Sequence, residues 1–530
     1  MPDDPRVTFE VIAADVASQI FLVDGDFHLV GRGVGRAEFS APPGIYKIKN
    51  RSGHTDVECM IVVKPGMPAI ILDPVSVHSA IPLAGSTRTH EYHMAVASGA
   101  ATAPNLTIGT GSGIVIIARQ WSAKAPRIAS TPPDNPARGL SLADAAGALV
   151  ADVAALTQIG GTRDPIVTLN VALSPGVYRM HLRRRDGTLV SQTLIASAGW
   201  QTCVYLLIDN AAADEHARVD LVNAAITIAP LGAPFVSDDA GLRAEEIARG
   251  ALAASHDVVS DAVRAQFTSS DAPPMLSLIG AHLLLRHAKK VAASRTAQRA
   301  DEMAGLGGIV QRLRSQLGAH PDVEALASAA GLADPAYVFD VPPMLRASWP
   351  LVLEASIGRP SAIPVDSITG HAAERIWGEG VWLQWLERGP RDAVNPTALW
   401  QARARELVSA VGTARDQLTV DRLPGSLAPV AAPAAVAGPT NEKDAATHSL
   451  SRKSIEIATS VVHTTRNLFV SRVRTPFPAT TTGATTSPPA SAAEFGRARN
   501  LLTPDHRAQL VKELGVPLSK IDAWLESAKD

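Results

Sequence analysis

Apolar and polar positions alternate through most of the first 236 residues and give way to a helical period from Asp239 onward. Val7 to Ile12 alternates as a half-buried strand does. Gln19–Val23 and Phe27–Val30 are apolar runs flanking Asp24-Gly25-Asp26, a spacing that predicts a hairpin. Pro43-Gly44 then turns the chain into Ile45-Tyr46-Lys47-Ile48. Further strands are expected at His93–Ala97, Leu106–Ile108 and Ile114–Arg119. Arg218–Ala229 is a closing strand or a short helix, and Pro230–Asp239 is a boundary.

The Pro-Gly-x-Tyr turn returns as Pro175-Gly176-Val177-Tyr178. Gly53 then parallels Gly187, Gly66 parallels Gly199 and Asp73 parallels Asp209, at offsets of 132 to 136 residues. Ile20–Val30 also looks like Leu140–Val150, at the different offset of 120, which requires an insertion in the second copy. The order of matches predicts two tandem β-sandwich-like units, 1–120 and 121–236. The Pro-Gly-x-Tyr pattern resembles PEGA-type small β-sandwich repeats over about 60 residues per copy. That resemblance implies binding or spacing, without chemistry of its own.

From Asp239, Leu242, Ile247, Leu252, Val258, Val259, Val263 and Phe267 fit one or two amphipathic helices. Asp271-Ala272-Pro273-Pro274-Met275-Leu276 and Asp340-Val341-Pro342-Pro343-Met344-Leu345 read as two similar helix starts, with Pro350 kinking or ending the second helix. More helices are expected at Leu306–Leu317, Val323–Ala330, Asp366–Trp377 and Pro396–Val411, completing an α-helical domain over 239–420. Trp349, Trp377, Trp382, Trp385 and Trp400 cluster here. They read as core in an Ala-rich domain, or as anchors for a protein partner. The Pro-Pro-Met-Leu segments and His320–Leu326 resemble a helical region of bacterial proteins associated with caspase-like peptidase conflict systems. This resemblance implies an accessory to, or proteolytic target of, a co-encoded peptidase.

Residues 421–493 read as a Pro/Ala/Thr-rich linker. Its stretch 445–474 reads as a loosely packed helix or disorder, with a basic helix suited to a partner or a membrane surface as the alternative. Residues 494–530 form a small helical module resembling a helix-turn-helix, with Trp524 inward. Asp522, Glu526 and Asp530 in its second helix argue against reading DNA.

Composition narrows the classes. Forty-six per cent hydrophobic residues can bury a core, whereas a net charge of −2 offers no global attraction to nucleic acid. Two cysteines, Cys59 and Cys203, stand at non-equivalent places, which predicts no disulfide framework and a cytoplasmic setting. No run approaches a membrane span. Gly109-Thr110-Gly111-Ser112-Gly113 lacks the Gly-Lys-Ser/Thr of a phosphate loop and reads as a turn between strands. His90 and His93 do not form a helical zinc motif, and no catalytic, metal or cofactor residues are assigned. Arg183, Arg184 and Arg185 form a basic hairpin tip that reads as a solvated turn, or as a site meeting an acidic partner. The expected fold is thus α+β and multidomain: two tandem β-sandwich-like units, an α-helical domain and a tethered helical module. The expected function is that of a non-enzymatic adaptor or scaffold binding protein partners. The alternatives are a hydrolase whose site is assembled from scattered residues, and nucleic-acid binding through the tail.

Overall fold

A computed structural model describes residues 6–89, 91–120, 137–155, 158–159, 166–184, 186–208, 219–290, 296–387, 399, 402–404 and 406. The linkers and helices expected beyond 420 lie outside these residues, as do Arg185, Trp400 and Trp524. Strands come first and helices later, in a mixed α+β arrangement.

The alternating N-terminal segments form β1 (Val7–Ala13), β2 (Gln19–Val23), β3 (Leu29–Val34), β4 (Arg36–Ala41), β5 (Gly44–Ser52), β6 (Thr55–Val63) and β7 (Ile70–Leu72). They make one sheet ordered β6-β5-β2-β3-β4-β1-β7. Its inward positions, among them Phe9, Val11, Ile20, Leu22, Phe39, Tyr46 and Ile48, form a single apolar core.

The chain then forms α1 (Glu91–Thr102) where a strand is expected over His93–Ala97. The helix buries His93, Ala97 and Ala101, which share one face at a spacing of four. Small side chains on that face bring the helix close to the sheet below, and this packing overrides the short apolar alternation.

The second β region comprises β8 (Leu106–Thr107), β9 (Ser112–Gln120), β10 (Leu140–Asp144), β11 (Leu149–Asp152), β12 (Gln158–Ile159), β13 (Ile166–Leu173), β14 (Gly176–Arg183), β15 (Leu189–Ala196), β16 (Trp200–Ile208) and β17 (Val219–Pro230). One sheet runs β12-β13-β9-β16-β17, with β8 beside β13. The strand β9 pairs with β13 and β16, so Ser112–Gln120 belongs to this second region and not to the first. Val115, Ile117, Cys203, Tyr205 and Ala225 pack on one face of this sheet with Ala97, Ala101 and Phe235. The opposite face, with Ile114, Ile116, Val204 and Leu206, is equally buried. A second sheet runs β11-β10-β14-β15 and is extended by two strands from far along the chain, β18 (Ile376–Trp377) and β19 (Gln384–Leu386). Thr202 Oγ1 donates to the Ile195 carbonyl (2.5 Å) and Gln384 Nε2 to the Leu221 carbonyl (2.8 Å), tying the two sheets together.

The helical period resolves into α2 (Ala240–Ala253), α3 (Asp261–Thr268), α4 (Pro274–Lys290), α5 (Thr296–Leu317), α6 (Pro321–Ala329), α7 (Ser348–Gly358) and α8 (Ile368–Ala372). Asp239 caps α2 through Leu242 N and Ser260 caps α3 through Val263 N. The first Pro-Pro-Met-Leu does open a helix, α4. The second does not: Asp340–Arg346 is a loop, and Pro350 sits in the first turn of α7, where its missing N–H costs nothing. Asp366–Trp377 likewise gives only the short α8 followed by β18.

The chain divides into two compact units, Met1–Leu351 with Arg375–Asp392, and Val352–Glu374 with Ala393–Asp530. The first holds all the sheets together with α2 to α6, so the expected α-helical domain over 239–420 is split between the units. In the second unit, Arg403 Nε donates to Ser356 Oγ (2.8 Å) and Nη2 to the Pro360 carbonyl (3.0 Å). Among the described residues no helix is long and apolar enough to cross a membrane.

Candidate functional site

The repeat seen in sequence has a structural counterpart. The strands β6-β5-β2-β3 and β15-β14-β10-β11 are neighbours in the same order. In the first copy Tyr46 Oη donates to the Pro42 carbonyl (3.0 Å); in the second Tyr178 Oη donates to the Ser174 carbonyl (2.9 Å). The Pro-Gly-x-Tyr pattern is therefore a turn locked by a phenol reaching back four residues. The upstream match at offset 120 also holds. The backbone N–H of Asp24 donates to the His28 carbonyl, and its carboxylate accepts from His28 N (2.8 Å). Asp144 makes both bonds with Ala148 (2.8 Å for the carboxylate).

The two copies part company in that turn. The second places Gly147 at φ 88°, the left-handed region that glycine enters freely. The first places Phe27 there at φ 64° with 77% of its surface exposed. A bulky side chain in this conformation is strained by roughly 1–2 kcal/mol and gains little from burial here.

Phe27 borders an apolar surface. The register Leu29↔Val23, Val23↔Lys47 and Lys47↔Met60 puts four side chains in one row across β3, β2, β5 and β6. Ile45 and Val62 form the adjoining cross-strand pair. Leu29, Ile45, Met60 and Val62 are 57–64% exposed. The Lys47 ammonium lies 5.4 Å from the centre of the Phe27 ring and 2.9 Å from Glu58. Toward the β5–β6 turn the same face becomes charged, with Lys49 and Arg51 against Asp56. This is an apolar surface with a charged flank, of the kind that marks contact with another macromolecule.

The edge beside it is open. Among the described residues, β6 has a neighbour on the β5 side only. The hairpin closes over Gly53-His54 with Ser52 opposite Thr55, so those two are a hydrogen-bonded pair and alternate residues follow suit. The backbone N–H and C=O groups of Asp56, Glu58, Met60 and Val62 therefore point away from β5. In the second copy the equivalent edge, β15, is covered by β19, pairing Val190↔Leu386, Ser191↔Trp385 and Gln192↔Gln384.

The residues singled out from sequence fall elsewhere. Trp382 and Trp385 are 1% exposed and fill the interior, Trp382 Nε1 donating to the Ala224 carbonyl (2.7 Å); Trp349 is buried. Trp377 is half-buried, and exposed Arg184 stacks over its ring at 5.7 Å. Arg183 is exposed at the end of β14. Among the described candidates Arg184 and Trp377 thus meet at the surface, whereas Trp349, Trp382 and Trp385 belong to the interior. The exposed row on β3, β2, β5 and β6 was legible only as Met60–Val63, an apolar run without alternation in a hairpin that should alternate.

His282 Nε2 lies 2.9 Å from Ser348 Oγ, and Ser348 Oγ donates to Asp322 Oδ1 (2.7 Å). Asp322 also accepts from Met344 N (2.7 Å) and Leu345 N (2.9 Å). A nucleophilic serine must give its proton to histidine; here the proton goes to the carboxylate and His282 donates to the hydroxyl. Burial pushes the His282 imidazole down to about 3, consistent with a neutral ring. The cluster pins the Asp340–Arg346 loop onto the start of α6. A second cluster joins Arg249 to Glu246 through two 2.8 Å bonds, with Ser79 donating to Glu246 (2.5 Å). Burial raises the neighbouring Glu245 carboxyl well above its ordinary value and the Cys203 thiol to about 12. Both groups are held neutral inside the core. Among the described residues no group of three His, Cys, Asp or Glu could hold a metal ion.

Comparison of the sequence with models of known protein families and with curated proteins finds no match in either.

Proposed function

We propose that this chain is a protein-docking scaffold that engages its partner through the outer face and open edge of the first sheet. The observation that carries this reading is Phe27: a strained, exposed aromatic at the position where the second copy has Gly147. Strain of this kind persists where the residue serves something other than folding. The surrounding Leu29, Ile45, Met60 and Val62 supply the apolar centre and the Lys49–Asp56 pair the polar rim.

The test is site-specific photo-crosslinking in the native host. Benzoylphenylalanine replaces Phe27 or Met60, and Asp261, whose side chain is 98% exposed on α3, is the control. A discrete adduct from positions 27 and 60, absent from 261, is the expected result. Equal yields from all three positions, or no adduct from 27 and 60, would overturn the proposal.

A further inference from the structure

We infer that the open edge of β6 pairs antiparallel with β6 of a second copy of this chain, joining two seven-stranded sheets into one. The inference rests on the docking surface proposed above and names its occupant.

Three observations lead there. First, the fold already shows this edge geometry taking a strand. The copy of β6 in the second region, β15, carries β19 antiparallel along the equivalent side. Second, the usual guards of an edge are weak on β6. Its acids, Asp56 and Glu58, are neutralised by Lys49 and Lys47 of the neighbouring strand, and the strand has no proline and no register shift. Both of its faces are exposed, with Val57 and Cys59 on one side and Met60 and Val62 on the other.

Third, the strand is self-complementary in its full-overlap register. β6 has nine residues, Thr55 to Val63, and its midpoint is Cys59. Antiparallel overlap of all nine therefore places Glu58 opposite Met60 of the second copy and Asp56 opposite Val62. These are the residues whose backbone groups point outward, so the pairing completes their hydrogen bonds. No acid faces an acid, and Val57 meets Ile61 on the inner side. Sliding the strand by two residues one way would set Glu58 against Glu58, and the other way would leave Thr55 and Asp56 unpaired, so charge and overlap together favour this register.

The same register sets Cys59 across the two-fold axis from its counterpart, at a non-hydrogen-bonded pair. There the Cα atoms lie about 4.5 Å apart, inside the roughly 4.4–6.8 Å span that a disulfide bridges. Cys59 is the reporter of the interface. The other cysteine, Cys203, is buried and does not compete.

The experiment uses the full-length protein at micromolar concentration. Light scattering gives its mass, and copper phenanthroline is then added. Two Cys59 thiols would lose two protons and pass two electrons to copper(II), forming one S–S bond. The expected result is a dimer that crosslinks within minutes. Crosslinking is lost in Cys59→Ser, while the mass stays dimeric. Met60→Pro removes an outward N–H and leaves the β5–β6 ladder intact, so it should weaken the dimer at least about tenfold. Met60→Lys provides a second variant if the proline disturbs the hairpin. A monomeric mass together with a Cys59 that reacts with a thiol reagent but does not crosslink would overturn the inference. In that case a photo-adduct from position 60 with a different protein keeps the docking surface and assigns its edge to that protein; absence of any adduct removes both.

Discussion

Two copies of one four-strand motif share a turn, a register and a tyrosine hydrogen bond, yet they meet opposite fates. The second, β10-β11-β14-β15, is sealed. Its edge is taken by β19, β15 and the middle of β14 are buried while Leu149 on β11 stays exposed, and its turn uses glycine in the left-handed region. The first, β2-β3-β5-β6, leaves its edge and outer face open and spends strain on an exposed phenylalanine. Equivalent positions show the same split. Lys49 on β5 is ion-paired on the open face, whereas its counterpart His181 on β14 is buried against Ser191 (2.6 Å). The same strand order therefore forms with its edge covered by β19 in one copy and open, among the described residues, in the other.

The largest test of this contrast removes the cover. Trp382→Ala empties a fully buried indole beside β17 and should cost about 3–5 kcal/mol in denaturant unfolding. Met60→Ala, on the open strand, should change stability by less than about 0.5 kcal/mol. Similar costs at the two positions would break the contrast between sealed and open copies.

Acidity gives a second test. Burial pushes the His181 imidazole from its ordinary 6.5 down to about 4, with nearby Glu387 opposing and Arg179 adding to the shift. Below 6.5 the unfolded chain takes up a proton that the folded chain refuses until about 4. The stabilisation is therefore complete above pH 6.5 and declines as pH falls toward 4, by about 3 kcal/mol. Unfolding measured across that window should show this slope in the native chain and a shallower one in His181→Gln. Identical slopes would mean that His181 is open to water in the folded chain.

The smallest test is a pair of opposite signs at one turn position. Gly147→Ala forces a Cβ to within 2.7 Å of Arg179 at a left-handed φ and should destabilise by about 1–2 kcal/mol. Phe27→Gly relieves strain and should leave the fold equal or up to about 1 kcal/mol more stable, while abolishing the crosslink expected from the first sheet. Loss of stability in Phe27→Gly would show that the ring serves folding.

The duplication was legible because turn chemistry is local. The Pro43-Gly44 and Pro175-Gly176 turns and the turn glycines that follow them set backbone conformation without help from the rest of the chain. Helices α2 and α3, α4 and the second half of α5 were legible through their period and, for α4, through the Asp271-Ala272-Pro273-Pro274 start. What sequence could not show depended on distant partners. His93 to Ala101 became a helix because a sheet lay beneath it. Gln384–Leu386 became a strand because β15 offered an edge nearly two hundred residues earlier in the chain. Asp322 became the anchor of the Asp340–Arg346 loop only once α6 and that loop met. The apolar row on β3, β2, β5 and β6 needed the register of four strands, although the unbroken run Met60–Val63 hinted at it.

The central claim is that β6 accepts an additional strand. Its most direct measurement is amide hydrogen exchange in the full-length protein as concentration is raised. The amides of Glu58, Met60 and Val62, which point to the open side, are expected to gain protection, while those of Val57 and Ile61, already bonded to β5, stay unchanged. Rapid exchange at Glu58, Met60 and Val62 at every concentration, with and without host extract, would contradict it.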